Sequence, residues 1–411
     1  MLELAWHIFR GGHTDIEEHE LDGFTQAHLE RFRLTRDPKQ LKQDILDSRL
    51  LQNQYGKYRF SYRYPLYYFV ARYMRDNEED PEVNTCVVQA VDGIHREDLA
   101  NILIFYTYLT RNKKVVARVL DAARELFKET EACNLARHVE FITRLQEKVP
   151  NVVLPDADPR EGRRALLRHA DAEESRPVPA EPDEAAYPDA TEFTISMNRA
   201  AKVLQVLGQI LRNFSGSWRR ELKREITREC FDLGLRTLNS VYSYLERHLD
   251  RALGELADLF GRNFSDLPEK RRVEAAKELV FFVTELLCFG TLRRISYTVG
   301  SEVLVPTYDD VEAAYDNRAT RFVQLCLRLD HCRQFPEKRV LELKAEVDKD
   351  TFGLTLLRML VAEHFHQFPR PFRVRQSVCA RLGISYRPAL EKPKAALPPG
   401  KTPGHAPRHR S

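Results

Sequence analysis

The segment YGKYRFSYRYPLYYFVARYM, residues 55–74, decides how the N-terminal region folds, because two hydrophobic periods meet within it. In its first half the rings of Tyr58, Phe60 and Tyr62 alternate with polar residues, and a period of two predicts a half-buried strand. Beyond Pro65 the apolar residues recur every three or four positions, which predicts a helix. We therefore expect a strand that ends at Pro65, a helix after it, and most of these rings in the core.

The residues before this segment complete a small domain. QYG supplies the turn of a β-hairpin whose first strand begins near Leu50. Three short helical segments precede the hairpin, and in the third Asp37 is positioned as the N-cap with Pro38 at the first helical position. These segments are ELAWHIF, DIEEHELDGFTQAHLERF and DPKQLKQDILDSRLL. Three helices and a small hairpin predict a winged helix over residues 1–78.

The rest of the chain is predicted to be helical, with two interruptions. Glycine is scarce, at 17 residues, and the prolines cluster, which is typical of long helices separated by definite breaks. We expect a helical pair over 79–149, a flexible linker rich in Pro, Ala and acid over 150–192, a larger helical domain over 193–387 and a disordered basic tail over 388–411. In the larger domain, VEAAKELVFFVTELLCFGTLRRISYTV is apolar almost all round and is expected at the centre. The predicted fold class is mainly α: an N-terminal winged helix followed by helical-repeat-like bundles.

Composition predicts a soluble protein of the reducing cytoplasm. The 411 residues carry a net charge of only +3, which gives no general reason to expect a nucleic-acid or membrane partner. The seven cysteines form no CxxC pair and lie in apolar surroundings, so we expect buried free thiols. MLELAWHIFR lacks the basic head and apolar run of a signal peptide. The most apolar stretch, LVFFVTELLCF, is interrupted by Glu285 and is too short to span a bilayer.

The sequence contains no motif that predicts catalysis. Neither GxxxxGK[ST] nor GxGxxG occurs, and SGS is not the GxSxG elbow of a nucleophile. His364 and His366 are two positions apart, so on a helix their side chains point in opposite directions, and they would share a metal only in an extended segment. HRED at His95 is typical of a polar helix start. We therefore predict no catalytic residue, no cofactor and no metal, and a chain that is not an enzyme.

The charges of the small domain leave two classes of partner open. The third helix of a winged helix can lie in the DNA major groove, and here it offers Lys39 and Lys42. Asp44 and Asp47 lie on the same helix, whereas a recognition helix usually shows a basic excess. This mixed charge counts against DNA binding, and a winged-helix DNA-binding regulator is kept as an alternative. The candidate contacts for either partner are Arg59, Arg63, Arg72, Lys39 and Lys42, supported by a core of Tyr58, Phe60 and Tyr62.

Four stretches give the chain a resemblance to a known family. They are LDSRLLQNQYGKYRFSYRYPLYYFVARYM, HREDLANILIFYTYLTRNKKVVARVLDAARELF, AAKVLQVLGQILRNFSGSWRRELKREI with LGLRTL, and FPEKRVLEL with LLRMLVAEHFHQF. Their order resembles the C-terminal half of bacterial STAND NTPases of the NACHT-like kind associated with antiphage defence. The resemblance implies that the winged helix packs on a nucleotide domain and that the helical region acts as an arm or sensor.

The chain departs from that family in one large respect, since the Walker and sensor residues of the ATPase are absent from it. We therefore expect a fragment, the product of a split gene whose P-loop ATPase lies on another polypeptide, or a remnant with a new role. The expected function is a non-catalytic regulatory or sensor module that acts through protein–protein contacts. Its mechanism would be conformational, with helix faces repacking against the partner.

Overall fold

The structure, a computed structural model, describes residues 1–146, 148–154, 158–175, 192–264, 266–315 and 317–386. The described part is mainly helical, with strands that are all short. The described residues divide into two compact units: unit 1 lies within residues 1–149 and 192–357, and unit 2 lies within residues 150–175 and 358–386.

The N-terminal region of unit 1 contains four helices and a three-stranded antiparallel sheet. In chain order its elements are α1 (Leu2–Arg10), β1 (Asp15–Glu17), α2 (Glu18–Arg31), α3 (Pro38–Asp47), β2 (Leu51–Gln54), β3 (Lys57–Phe60) and α4 (Arg63–Asp76). Both outer strands pair with β3, so the sheet order is β1-β3-β2. The sequence did not predict β1, because three residues are too few to display a period and DIE was assigned to the helix that follows.

The start of α3 and the hairpin turn are as predicted. The Asp37 carboxylate accepts a hydrogen bond of 2.9 Å from the backbone N–H of Lys39, and Pro38 occupies the first helical position. In the hairpin, Tyr55 and Gly56 link β2 to β3 and both have positive φ, at 55° and 83°. A two-residue hairpin turn of type I′ requires this backbone conformation, because its twist matches that of the strands.

The junction between β3 and α4 differs from the sequence prediction. β3 ends at Phe60, and α4 begins at Arg63 with Tyr62 as its N-cap. Tyr58 and Phe60 are buried, but Tyr62 is 73% exposed, so the prediction that Tyr62 belongs to the supporting core is wrong. Pro65 does not mark the helix start, because the backbone N–H groups of the first helical turn have no intrahelical partner and proline is tolerated there.

Fourteen further helices complete the described part of the chain. They are α5 (Pro81–Asp92), α6 (Glu97–Thr110), α7 (Lys113–Glu125), α8 (Glu140–Thr143), α9 (Pro159–Ser175), α10 (Glu192–Asn213), α11 (Arg220–Arg247), α12 (Leu249–Asn263), α13 (Glu269–Val299), α14 (Val305–Ala313), α15 (Arg318–His331), α16 (Glu337–Val347), α17 (Thr351–Gln367) and α18 (Phe372–Leu382). The two helices of the predicted pair, α6 and α7, are both present. However, α6 packs mainly on α4 and α10, and α7 packs on α10, α11 and α5.

Helix α13 is a main packing element of unit 1. It packs against α10, α11, α12 and α15. Two glycines permit this close approach: a Cβ on Gly208 of α10 would lie 2.4 Å from Thr298 Cγ2, and one on Gly234 of α11 would lie 2.6 Å from Ile295 Cδ1. Only one face of α13 is buried, whereas Phe282 and other apolar residues of its opposite face are exposed. The all-round apolar character of the segment therefore does not mean burial on all sides.

Polar groups are also buried on α13. Arg293 forms an ion pair with Asp330 of α15, and the Ser296 hydroxyl donates to the same carboxylate over 2.7 Å. Glu285 is fully buried, and neither of its carboxyl oxygens has a hydrogen-bond partner among the residues that the structure describes. Desolvation raises the pKa of Glu285 well above its usual value, and the nearby Asp350 charge adds to the shift. The carboxyl is therefore neutral in the folded chain over a pH range in which the unfolded chain ionises it.

Unit 2 combines two parts of the chain that are distant in sequence. β4 (Val153–Leu154) pairs in parallel with β5 (Ser385–Tyr386), and Arg358 Nε donates to the carbonyl of Leu382 over 2.6 Å. The predicted flexible linker over 150–192 is thus corrected in part: it contains β4 and α9, because Leu154 finds a buried position beside a strand that local composition does not reveal. Residues 155–157 and 176–191 of that linker, and the predicted tail over 388–411, lie outside the described residues.

Two further expectations concern the membrane and the thiols. Within the described ranges, no helix combines the length and the apolar character needed to cross a bilayer. All seven cysteines are free, and six of them are buried, with Cys332 partly exposed.

Replacing Glu285 with Gln should stabilise the chain, and the gain should grow with pH. Below the carboxyl's unfolded pKa both states are protonated, so the gain from removing its ionisation is absent there. Above it only the unfolded state ionises, which lowers wild-type stability by up to about 1.4 kcal/mol per pH unit until the folded pKa is reached. Urea denaturation of both chains between roughly pH 5 and 8 measures the difference. Glu302→Gln, at an exposed carboxyl, is the control. A Glu285→Gln effect that is independent of pH would contradict the assignment.

Candidate partner-binding surface

Five exposed side chains lie around the hairpin and the first turn of α4. We call this set the hairpin surface: Tyr55, Arg59, Tyr62, Arg63 and Tyr64. Alternation along β3 explains part of it, since Arg59 lies exposed between the buried Tyr58 and Phe60. The surface therefore presents three tyrosines and two arginines, residue types that are enriched at protein interfaces.

Arg59 is the central charged residue of this surface. It lies in the middle strand, opposite Gln52 of β2 and Asp15 of β1. Its guanidinium makes no hydrogen bond or ion pair with any side chain in the described part of the chain. Asp15 instead lies within 3.7 Å of Lys57 Nζ. All the guanidinium N–H donors of Arg59 are thus available to a ligand.

Tyr67 supports the start of α4 from below. Its ring is buried and meets the exposed Tyr64 ring edge-on, at 6.4 Å between centroids. Burial raises the pKa of Tyr67 to about 12, although the neighbouring Arg63 charge and a hydrogen bond from Arg63 oppose the shift. Tyr67 takes the supporting role that the sequence assigned to Tyr62. The helical spacing after Pro65 was the sequence signal for its burial, because Tyr67 lies next to Leu66 on the buried face of α4.

Tyr55 is a member of the surface that sequence reasoning treated only as part of a turn. It stands at the tip of the hairpin, its side chain is fully exposed, and its φ of 55° lies in the left-handed region. Asn or Gly is preferred there, because a Cβ in this region costs about 1 kcal/mol or more. The turn therefore combines a strained backbone with an exposed aromatic ring. Backbone strain of this kind is concentrated at functional positions.

The predicted contacts on α3 fall into two groups. The Lys42 ammonium binds Asp22 at 2.7 Å and Glu18 at 3.0 Å, lies over the Tyr58 ring, and is only 15% exposed. Burial alone would lower the pKa of Lys42, but these two hydrogen bonds outweigh it and raise the pKa. Lys42 is therefore occupied inside the domain. The Lys39 side chain is exposed and has no such partner among the described residues.

The other polar groups of α3 are also engaged within the domain. Asp44 binds Arg36 and accepts a hydrogen bond of 3.1 Å from Gln40. Asp47 accepts one of 2.8 Å from Gln43. These contacts leave α3 with few free donors for bases or phosphates.

Arg72 does not share the hairpin surface. Nine residues separate it from Arg63 on α4, so the two side chains leave the helix in directions about 180° apart. Arg72 lies instead 4.0 Å from Asp76, one turn further along. Its grouping with Arg59 and Arg63 as one contact face is not supported.

The net charge of the small domain is balanced. Residues 1–78 contain twelve Lys and Arg and twelve Asp and Glu. Phosphate binding draws its affinity from a basic excess, which releases counterions from the nucleic acid. A balanced domain lacks that excess.

The histidine pair of the sequence is not brought together by the fold. His364 and His366 both lie on α17, where two positions correspond to about 200° of rotation. His364 Nε2 accepts a hydrogen bond of 3.0 Å from Arg370 Nε, and its ring stacks on Phe368. Among the described residues no group of three or more His, Cys, Asp or Glu side chains could hold a metal ion.

Comparison with known proteins yields no relative. No family model matches the chain, and no curated protein or solved structure matches it.

The two lysines of α3 should differ in their effect on stability. Lys42→Ala removes two charge-assisted hydrogen bonds and a ring contact, so we expect the free energy of unfolding to fall by about 1–2 kcal/mol. Lys39→Ala removes an exposed group and should change it by less than about 0.5 kcal/mol. Urea denaturation at neutral pH compares them. Equal losses for the two variants would show that Lys42 is not held inside the domain.

Tyr55→Asn should stabilise the chain while it removes a contact residue. Asn tolerates positive φ, so we expect a gain of about 0.5–1 kcal/mol in the free energy of unfolding. Tyr55→Phe keeps the strained turn and should show no gain. If Tyr55→Phe gained as much as Tyr55→Asn in thermal and urea unfolding, turn strain would not be the cause.

Proposed function

We propose that this chain is a non-catalytic regulatory module that binds a protein partner through the hairpin surface. The observation that carries the proposal is the exposure of three tyrosines and two arginines along the hairpin and the first turn of α4, in a domain with no net charge. Tyrosine and arginine are enriched among the energetic hot spots of protein interfaces, because each combines a large apolar body with directional donors. The free Arg59 guanidinium and the strained Tyr55 fit such hot spots.

We propose further that residues 1–78 form a winged helix. Its support is the element order α1-β1-α2-α3-β2-β3 together with the sheet order β1-β3-β2. A winged helix has three helices in this order, with the two long strands of the sheet forming the wing. In this arrangement α3 is the helix that a DNA-binding member would place in the major groove, and the hairpin is the wing.

The partner we propose is a P-loop ATPase on another polypeptide, as the resemblance to STAND NTPases implies. A change in that partner's nucleotide state would alter its contact with the hairpin surface. The first turn of α4 belongs to this surface, α4 packs on α6, and α6 packs on α10. A shift of α4 would therefore reach α10 and α13 through helix packing, which suits a conformational signal in a cytoplasmic, antiphage-defence setting.

The DNA-binding alternative rests on the same element order. Against it stand the balanced charge of residues 1–78 and the internal ion pairs of Lys42. It makes a distinct prediction: DNA affinity that falls steeply with salt, with a slope set by the number of phosphates contacted.

The test begins with purification of the tagged full chain from its native cells. Everything that co-elutes is identified by mass spectrometry and by a nuclease-sensitive stain. A stoichiometric P-loop polypeptide is the expected result. Nucleic acid without such a protein would instead support the DNA-binding alternative.

The decisive measurement uses the identified partner and paired variants. Replacing Arg59 and Arg63 together with Ala should weaken partner binding by about 10-fold or more, because each is placed as a hot spot. The matched control replaces Arg144 and Lys338, which are 78% and 90% exposed and lie outside the hairpin surface, and should leave affinity unchanged. Circular dichroism confirms that both variants are folded. If the partner bound the Arg59 and Arg63 variant as tightly as wild type, the hairpin surface would be the wrong assignment.

A further inference from the structure

The outer face of α13 carries large apolar residues that stay exposed among the described residues. Along it, residues four positions apart form a row: Glu278, Phe282, Leu286, Gly290 and Arg294, all of them exposed. We call this the acid-to-base row. Phe282 is 54% exposed and Leu286 is 43% exposed, which is unusual for side chains of this size in the middle of a 31-residue helix.

A second exposed row runs beside the first. It consists of Leu279, Val283 and Leu287. Rows of residues four apart are the ridges that interlock when two helices cross at about −50°, with the ridge of one helix in the groove of the other. The outer face of α13 thus presents a ridge and a groove suited to another helix.

The two ends of the acid-to-base row carry opposite charges that are unpaired. Neither Glu278 nor Arg294 makes an ion pair or a side-chain hydrogen bond with any residue that the structure describes. Near Gly290 there is open space, since a Cβ placed on it would meet nothing within 4 Å. The row therefore reads acid, large ring, leucine, open space, base.

This order is complementary to itself when it is reversed. If a second copy crosses antiparallel about Leu286, position 278 lies opposite 294 and position 282 lies opposite 290. Glu278 then faces Arg294 twice, and the Phe282 ring enters the space beside Gly290. A parallel crossing would instead place each charge opposite its own kind, which is unfavourable.

We propose that α13 is a self-association surface, on which two copies of this chain cross antiparallel about Leu286. The contact is isologous, so every interaction occurs twice and the assembly closes as a dimer. It involves none of the hairpin surface and goes beyond the proposed function. One helix face buries less area than a standard interface, so we expect weak association that depends on concentration.

Charge reversal tests the crossing directly on the full chain. Sedimentation velocity over roughly 1–200 µM should show a concentration-dependent dimer for wild type. Glu278→Arg places two arginines opposite each other and Arg294→Glu places two glutamates opposite each other, so each variant should self-associate about 10-fold more weakly or worse. An equimolar mixture of the two variants restores both opposite-charge contacts, and association should return to the wild-type level.

The controls separate this surface from others and from misfolding. Lys338→Glu reverses an exposed charge on α16 and should leave the dimer unchanged. The Arg59 and Arg63 double alanine variant should also dimerise normally, so failure of the hairpin surface and failure of the α13 surface are distinguishable. Circular dichroism checks that each variant is folded. A wild-type chain that stays monomeric throughout, or reversal variants that associate no better mixed than alone, would overturn the proposal.

Discussion

The close packing of α10 and α11 on α13 is the constraint on which the rest of unit 1 depends. Gly208 and Gly234 allow these helices to approach α13 without a Cβ between them. Tyr242 of α11 then donates its hydroxyl proton to the Thr284 carbonyl of α13 over 2.9 Å, which ties the two helices at a fully buried point. The Arg293–Asp330 pair holds α15 on the same helix. A side chain in place of either glycine would push α10 or α11 away from α13, since packed interiors have no spare volume. Displacement of α11 would also weaken the hydrogen bond from Tyr242 to Thr284.

The two surfaces that we propose differ in their chemistry and use different parts of unit 1. The hairpin surface is small, amphipathic and held on a rigid sheet with a buried tyrosine below it, which suits recognition of one specific protein. The α13 row is long and self-complementary, which suits weak pairing of like with like. Helices α4, α6 and α10 pack in succession toward α13. Occupation of one surface can therefore bias the packing at the other, provided that the two states differ in these contacts.

The helices and strands could be predicted from the sequence far better than the contacts between them. Long helices with clear periods were found, as was the α3 start, because Asp37 and Pro38 act locally. The burial of Tyr58 and Phe60 also followed from alternation. The end of β3 did not, because it depends on where β2 stops pairing. The β4–β5 pair and the packing of α4 on α6 and of α6 on α10 could not be predicted for the same reason, because these contacts join residues far apart in the chain.

For the candidate site, residue types could be predicted from the sequence, but the directions of the side chains could not. Arg59 and Arg63 were identified, and both are exposed. Arg72 was grouped with them although it lies on the other side of α4, and Lys42 was named as a candidate contact although two carboxylates bind it. The first error comes from the helix phase of α4, and the second comes from tertiary contacts that the sequence does not reveal. Tyr55 does carry a signal in the sequence, since tyrosine is an unfavourable residue before the glycine of a two-residue turn.

The reactivity of the buried cysteines can report when the helices of unit 1 separate. Burial raises the pKa of the thiols of Cys133, Cys230, Cys288 and Cys326, so in the packed state they are neither ionised nor accessible. Cys230 lies on α11, Cys288 on α13 and Cys326 on α15. An alkylating reagent can reach them only while these helices are apart. The rate at which each thiol is modified would therefore report how often, and in which order, the helices at the centre of unit 1 separate.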